Sequence, residues 1–442
     1  MVARWRLVFM VAVEFRRIQN PILAECAGRM SAGRGLIMAT MTNRHDVLIV
    51  GGGLVGASLA IALDRIGLDV GMVEATPAGE MPAVFDQRNL SFASATVNAL
   101  TTLGVMAGLR TPTGLIQRIH VSRQGDFGRT RLDAKDYGRA AFGQVVVARD
   151  FGEALEAQLS ELKRLTRYRP ARFTGLAAAA PEACAIRIAD ASGEREVSAR
   201  LLVAADGTRS GVRDALGIST AEHDYSQNLF VARMRAQQAP DGTAYERFGE
   251  HGPTAFLPRG DRHFGVVHGV ASDEADAVAA LSDEAWLARL QDAFGWRVGR
   301  LLSTGPRSAY PIIRVVAERT IASRAVLLGN AAQTIHPIGA QGFNLGLRDA
   351  VTLAELIEQS DDPGSESVLQ AYATRRAEDR RSTLAFSDGL ARITGNPASM
   401  LRPLRSLGLL AADQSSTLQS MLVGGAMGFR GEVPALCREA VQ

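Results

Sequence analysis

Three observations predict an α/β fold. Asp46 to Ala75, DVLIVGGGLVGASLAIALDRIGLDVGMVEA, reads as a buried strand, a glycine turn, a helix and a second buried strand. Residues 223–317 change texture to strand-like runs separated by polar turns, the pattern of a mostly antiparallel sheet inserted into the first domain. From Val351 onward helical periodicity dominates, broken at Asp362-Pro363-Gly364, Gly395-Asn396-Pro397 and Gly424-Gly425. The expected architecture is a Rossmann-like domain with an inserted sheet and a C-terminal helical region.

In the first unit, Gly51, Gly53 and Gly56 supply the G-x-G-x-x-G turn, and Ala57 and Ala60 keep the helix close to the sheet. Glu74 ends the second strand 18 residues after Gly56, where its carboxylate can accept both ribose hydroxyls. Strand before, helix after and acid in place predict dinucleotide binding. A carboxylate at that point repels a 2′-phosphate, so the nucleotide is FAD or NAD, and the motif does not choose between them.

Arg88 sits just before a helix expected from Ser94 to Leu103, and reads equally as a surface charge or a site residue. Ile119 to Leu132 alternates as a hairpin around Gly125 and Gly128, and Val145 to Val147 leads into a helix opened by Arg149. An arginine there can reach a pyrophosphate or make a local salt bridge. A hairpin from Ile186 to Ala204 delivers the chain to Asp206-Gly207, a strand-turn-helix corner with Arg209 and Arg213. The inserted region carries runs at Leu229–Met234, Ala244–Phe248, Thr254–Leu257 and His263–Val270, then a helix from Asp283 to Phe294.

The chain returns to the first sheet at Arg324 to Leu328 and enters Gly329 to Asp349, GNAAQTIHPIGAQGFNLGLRD. Small residues at 329, 331 and 332 allow close main-chain approach, and Gly339, Gly342 and Gly346 leave amides around a helix N-terminus uncovered. Such amides can hold an electron-rich edge.

Composition bounds the alternatives. The 442 residues carry a net charge of +3, 47% apolar and 21% charged residues, values of a globular chain with no nucleic-acid footprint. Lys135 and Lys163 are the only lysines, which disfavours Schiff-base chemistry. Cys26, Cys184 and Cys437 are scattered and odd in number, fitting a reducing, cytoplasmic setting, and no His or Cys spacing suggests a metal site. Leu7 to Val13 is an apolar run flanked by arginines and too short to span a bilayer. Residues 1–43 read as an over-extended start, with Met38 or Met41 the working initiator, the alternatives being an amphipathic surface segment or a targeting peptide.

With Gly51-x-Gly53-x-x-Gly56 and Glu74 first, Asp206-Gly207 in the middle and Gly329 to Asp349 late, the chain resembles single-component FAD-dependent aromatic hydroxylases. Gly329-Asn330-Ala331-Ala332-Gln333-Thr334, His336-Pro337-Ile338 and Gln341 to Asp349 look more narrowly like the ubiquinone-biosynthesis hydroxylases, most like the 2-polyprenyl-6-methoxyphenol hydroxylase type. Asp86 to Ser91, Ile119 to Phe127, Tyr372 to Asp379 and Ser387 to Leu390 add matches, and the resemblance covers about residues 45–435.

The resemblance implies tightly bound FAD, with Gly51, Gly53, Gly56 and Glu74 on its ADP half and Arg88 and Arg149 near its phosphates and ribityl chain. It relates Asp206 and Gly207 to FAD and pyridine nucleotide, gives Gly329 and Asn330 to the ribityl and pyrophosphate, and puts Pro337 to Asn344, with Gln341, Gly342 and Phe343, beside the isoalloxazine. Asn330 stands where the broader superfamily has Asp, and Gly339-Ala340 reads Ala-Gly in the usual pattern. The domains then expected are 44–112, 143–222 and 318–362 for FAD, 113–142 and 223–317 for substrate, and 363–442 as C-terminal helices.

Enzymes of this kind use NAD(P)H as a transient co-substrate and O2, and hydroxylate a phenol through a flavin hydroperoxide, so the protein must exclude water and orient or deprotonate the phenol. His336 and Pro337 are the catalytic candidates, and His336 reads equally as a proton carrier or a loop support. The implied substrate is a polyprenylated phenol of ubiquinone biosynthesis, which predicts peripheral contact with the inner face of the membrane and membership of a quinone-synthesis complex. Rival readings are a prenyl reductase or another aromatic hydroxylase on the same scaffold, and a non-enzymatic flavoprotein of the same complex.

Overall fold

A computed structural model describes residues 44–82, 86, 88–395 and 402–438. The expectations for residues 1–43 lie outside the described residues. The first strand, Arg44–Val50, ends in four aliphatic side chains, Val47, Leu48, Ile49 and Val50, buried on both faces. It pairs in parallel with Val70–Val73, after the helix Leu54–Arg65 has crossed between them. This is the crossover unit that a continuous apolar strand requires, because both faces must be covered.

Among the described residues the strands form three sheets. In the first, the order runs Ile321–Ala322, Ala325–Leu327, Gly193–Ala204, Arg44–Val50, Val70–Val73, Leu165–Tyr168, with the 184–190 and 172–177 strands extending it beside 193–204. Val70–Val73 also pairs in parallel with Leu165–Tyr168, and Ala325–Leu327 with residues 202–204. Val47, Ile49, Leu59, Leu63 and Phe151 join Leu347, Val351 and Leu353 of the helix Gln341–Glu358 in its core.

The second sheet runs Gln333–Thr334, Ser308–Ala317, Thr220–Ala236, Phe264–Ala271, Gly252–Pro258, Thr243–Gly249, Arg118–Arg123, Arg129–Asp133, with Leu301–Thr304 also on 220–236. It is mostly antiparallel, except where 243–249 meets 118–123 in parallel. Two of its members are consequential. The hairpin 118–133 comes from the earlier part of the chain, and Gln333–Thr334 comes from the glycine-rich stretch, pairing with Val316 and Val315. The third sheet joins Asn89–Ala93, Gly143–Val147 and Gly114–Ile116.

The long 220–236 strand breaks register between Asp224 and Asn228, with Ser226 at φ 52°. This bulge swings Tyr225 and Gln227 onto the segment around His336. Helices 366–395, 402–414 and 416–426 follow. The expected break at Gly424-Gly425 is not there: both lie in the last turns of Ser416–Ala426, and the chain turns at Gly428, φ 82°. A helical glycine costs only about 1 kcal/mol, and the buried contacts of Val423 and Met427 offset it.

Candidate active site

The sequence-predicted residues gather at the carboxyl ends of the first sheet, where open α/β folds bind ligands. Gly51 follows the first strand, Glu74 the second, Asp206 follows residues 193–204, and Gly329 follows 325–327. The Gly51 turn cannot carry a side chain. Its φ is 108°, a Cβ there would fall 2.3 Å from the Ala205 carbonyl oxygen, and one on Gly56 would fall 2.0 Å from the Gly51 oxygen. The Glu74 carboxylate closes the turn by accepting the Gly52 N–H at 2.8 Å and the Thr76 N–H at 2.8 Å.

Two helix N-termini converge here. Val55, in the first turn of helix 54–65, lies where Cβ atoms on Gly329 and Gly346 would each come within 2.9 Å of its Cγ2. Neither helix 54–65 nor helix 341–358 has a side-chain cap or an acidic residue in its first turn. A Cβ on Gly53 would meet nothing within 4 Å. Uncapped amides and an open cradle of this kind suit an anionic diphosphate at the first helix and an electron-rich ring edge at the second. Asn330 is exposed at the same ends, free of charge and able to donate and accept. The residues fit FAD.

Other predicted residues are spent on the scaffold. Asn344 is buried, its Oδ1 accepting Ala93 N–H at 2.9 Å and its Nδ2 donating to Ser91 O at 2.9 Å and Ala340 O at 2.7 Å. Phe343 packs against Phe92 and Phe151, ring centroids 5.3 and 5.4 Å away. Gln341 donates to the Gly339 and Ala426 carbonyls, and its Oε1 is buried without a partner among the described residues. These three hold the 337–344 segment in place, with its backbone left to face a ligand.

Arg88 grips Asp86 side-on through Nε and Nη2, at 2.8 and 3.0 Å, and lies 4.1 Å over the Tyr310 ring, whose hydroxyl also donates to Asp86. The cluster joins the first domain to the 308–317 strand. The Arg149 side chain is exposed and meets Glu153 at 3.4 Å. Asp206 accepts the Ser210 hydroxyl at 2.5 Å and the Val212 N–H, and burial raises its pKa in spite of these bonds. Gly207, at φ 89°, turns into open space.

His336 is built into its loop. It is 1% exposed, its Nε2 lies 3.2 Å from Gln227 Oε1, its Nδ1 accepts the Ile338 N–H at 3.2 Å, and Tyr225 meets its ring edge-on. Burial drives its pKa down to about 4, so the ring is neutral with both nitrogens engaged. Pro337 is exposed, and its carbonyl accepts the Ala340 N–H. Sequence reasoning missed Glu246, whose carboxylate accepts the Gly339 N–H from the facing sheet. The available signal was alternation, since Glu246 shares a strand face with apolar Ala244 and Phe248. No group of metal-binding side chains occurs among the described residues.

Residues 44–387 match the family model described as an FAD binding domain. The ubiquinone hydroxylase UbiL of Rhodospirillum rubrum is 32% identical over 407 residues, covering 91% of this chain and 94% of that protein. The 3-demethoxyubiquinol 3-hydroxylase of Escherichia coli is 28% identical over 88% of this chain and 100% of its own length. The crystal structure of p-nitrophenol 4-monooxygenase from Pseudomonas putida shares the fold, with a TM-score of 0.74 at 17% identity over 89% of this chain and 100% of that one. With its glycine turn, Glu74 and two uncapped helix N-termini around one crevice, the chain belongs to the FAD-binding family, among the FAD-dependent monooxygenases that include the ubiquinone-biosynthesis hydroxylases.

Proposed function

We propose that this enzyme hydroxylates the aromatic ring of a polyprenylated phenol in ubiquinone biosynthesis, consuming NAD(P)H and O2. The observation that carries the reading is the meeting of the FAD crevice with an apolar sheet face. Val121, Ala255, Val267 and Val231 line up across four strands of the second sheet, and Phe248 on the same face packs against Ile338 of the 337–340 segment. An apolar floor beside a ring-binding backbone suits a prenylated aromatic ring. The full-length similarity to proteins named ubiquinone hydroxylases supports the same substrate class.

FAD supplies hydride acceptance and the activation of O2. The protein's own residues do the rest. Amides at the start of helix 54–65 hold the diphosphate, and Glu74 accepts the ribose hydroxyls with the lone pairs left over from Gly52 and Thr76. Asn330 holds a ribityl hydroxyl, and amides at the start of helix 341–358 face the negative edge of the ring. His336, braced by Gln227 and Tyr225, fixes the segment that carries Pro337. Phe248 and Ile338 keep water from the reacting face. The chain has no second G-x-G-x-x-G, so NAD(P)H binds transiently and leaves.

The test is incubation of the FAD-loaded enzyme with NADH or NADPH, 18O2 and a short-chain prenylated phenol, read by mass spectrometry. A product carrying one 18O atom is expected. Rapid bleaching of bound flavin without any oxygenated product would reject hydroxylation in favour of a reductase, and no bleaching would favour a non-catalytic flavoprotein.

We further propose peripheral attachment to an anionic membrane face, where a polyprenyl chain is reached, and contact with a quinone-synthesis assembly. No described helix is long and apolar enough to cross a membrane. Phe127, Ile393 and Leu407 are 70, 59 and 57% exposed. Their neighbours are tied together, Arg123 donating to Thr394 O and Thr130 to Leu409 O. Flotation with anionic liposomes at low salt should carry the protein upward; retention of all of it in the soluble fraction rejects the attachment.

A further inference from the structure

Glu246 stands out chemically in the apolar row just described. In the 243–249 strand, Tyr245 and Arg247 turn to the far face, Tyr245 against the Phe294 ring at 5.7 Å and Arg247 donating to Phe294 O at 2.6 Å. Ala244, Glu246 and Phe248 turn to the near face. Glu246 is directly opposite Val121 on one side and Ala255 on the other, with Val267 and Val231 continuing the row. Val121, Glu246, Val267 and Val231 each keep partial exposure, so the row is an accessible floor and not sealed core.

No Lys, Arg or His pairs with the carboxylate among the described residues. The charged and titratable groups on the surrounding elements are engaged elsewhere. Tyr225 donates to Asp388 at 2.8 Å, Asp388 pairs with Arg392 at 2.9 Å, Arg123 donates to Thr394 O at 3.0 Å, and His336 holds Gln227 and Ile338. What Glu246 does hold is the Gly339 N–H, in the segment beside the ring-binding site. A carboxyl set in an apolar row without a cation is costly, and a neutral acceptor would serve Gly339 as well. The ionisable group therefore has work that Gly339 does not explain.

We propose that Glu246 is the proton acceptor for the phenolic hydroxyl of the substrate, an assignment that rests on the hydroxylase reading above. A glutamate Oε takes the proton as the phenol O–H bond breaks; the bonding pair stays on the phenolate oxygen and a new O–H bond forms on the carboxyl. No electron leaves the pair of reactants. The phenolate then feeds its electron density into the ring, raising its reactivity toward the incoming oxygen. Burial pushes the carboxyl up to about 7, against the pull of the Gly339 amide, which brings it closer to a phenol at ~10 than an ordinary glutamate is.

The experiment uses FAD-loaded enzyme and 2-prenylphenol, with turnover followed from about pH 5 to 9. Wild-type kcat should fall as the pH drops and the carboxylate takes up its proton near about 7, and Glu246→Gln should lose that limb of the profile. Glu246→Asp, which keeps the carboxylate, should restore part of the limb. On the alkaline side, Glu246→Gln should lose about 100-fold in kcat with a much smaller change in KM, because a general base acts on the reaction and not on apolar binding. An unchanged kcat and pH profile in Glu246→Gln overturns the assignment while leaving the hydroxylase reading intact. Loss of FAD by Glu246→Gln, which retains an acceptor for Gly339, likewise overturns it and makes the residue a loop support. Failure of wild type to bind 2-prenylphenol, or to oxygenate it, overturns both.

Discussion

Arg348 and Asp379 form a two-bond ion pair in the interior, Nε to Oδ2 at 2.7 Å and Nη2 to Oδ1 at 3.2 Å, with side chains only 2 and 4% exposed. It bolts helix 341–358 to helix 366–395. Arg376 shares Asp379 and reaches Asp349 at 2.7 Å, while Gln333 donates to the other oxygen of Asp349. The helix whose N-terminus faces the crevice is thus anchored by charges that have no water to fall back on. Asp379→Asn should cost about 3–5 kcal/mol in thermal or denaturant unfolding of the FAD-loaded protein, since it leaves guanidinium charge buried and under-compensated.

The same aspartate sets an acid limit. Burial raises the Asp379 carboxyl, but Arg348 and Arg376 outweigh it and hold its pKa below the ordinary value of 3.8. A depressed carboxylate contributes stability that is present above its unfolded pKa and lost as pH falls through the folded one. Acid titration of wild type against Asp379→Asn should therefore show the stability difference shrinking below pH ~4.

His336 adds a slope of the same sign in a higher pH window. Its folded pKa of about 4 lies below the ordinary 6.5, so between those values the unfolded chain binds the extra proton and folding stability rises with pH. The full swing is about 3 kcal/mol by linkage. His120 and His268, also lowered to about 4, add to this slope, and Glu246, raised to about 7, opposes it. Comparing His336→Gln with wild type isolates one ring. Wild type should gain stability relative to the variant between pH 4 and 6.5, and a constant difference would show that His336 is not held neutral by burial.

The first domain was legible because its signals are local. A run of apolar residues at 47–50, glycines at fixed offsets and Glu74 are read within 30 residues, and each has a steric or hydrogen-bonding reason. The second sheet was legible as strands but not as pairings. That 243–249 lies parallel to 118–123, and that Gln333–Thr334 leaves the crevice to pair with 308–317, depend on contacts distant in sequence. Asn344 and Arg88 show the same limit in the site: residue type suggested ligand contact, while Ala93, Ser91 and Ala340 occupy the polar atoms of Asn344 and Asp86 takes one edge of the Arg88 guanidinium. Glu246 was hidden because Tyr-Glu-Arg-Phe looks like a strand with a wet face, and only the fold shows which face is near the crevice.

The reversed Gly339-Ala340 pair has a measurable cost. Both residues are left-handed, φ 68° and 52°, and an L side chain at position 340 is strained by about 1–2 kcal/mol. Ala340→Gly removes the strain and gives back about 0.5–1 kcal/mol through the freer unfolded chain, for a net gain of about 0.5–1 kcal/mol. A Cβ at Gly339 would only touch the Phe386 ring at 3.8 Å, so Gly339→Ala should lose stability through backbone strain alone. The exchanged double variant should then unfold close to wild type. Differential scanning calorimetry on the three FAD-loaded variants checks the ordering, and a stabilising Gly339→Ala would contradict it.

Glu74 supplies the last prediction, because its carboxylate has two tasks that substitution separates. One oxygen accepts Gly52 N–H and the other Thr76 N–H, both at 2.8 Å, which shapes the turn; the remaining lone pairs face the place where a ribose would lie. Glu74→Gln can offer one oxygen only, and must aim its amide N–H at a backbone N–H or at the ribose. Glu74→Ala removes both acceptors and leaves two amides with only water. Flavin affinity, measured by fluorescence as FAD is returned to stripped protein, should fall about 10-fold in the glutamine variant and about 100-fold in the alanine variant, on the scale of one and two charge-assisted hydrogen bonds. Equal affinity in both variants would mean that the turn, and not the ribose contact, is what Glu74 contributes. Because backbone bonds from Gly51 N–H to Val73 O and from Ala205 N–H to Val50 O also hold the turn, the alanine variant should still fold, and the loss should appear in flavin binding before it appears in the unfolding temperature.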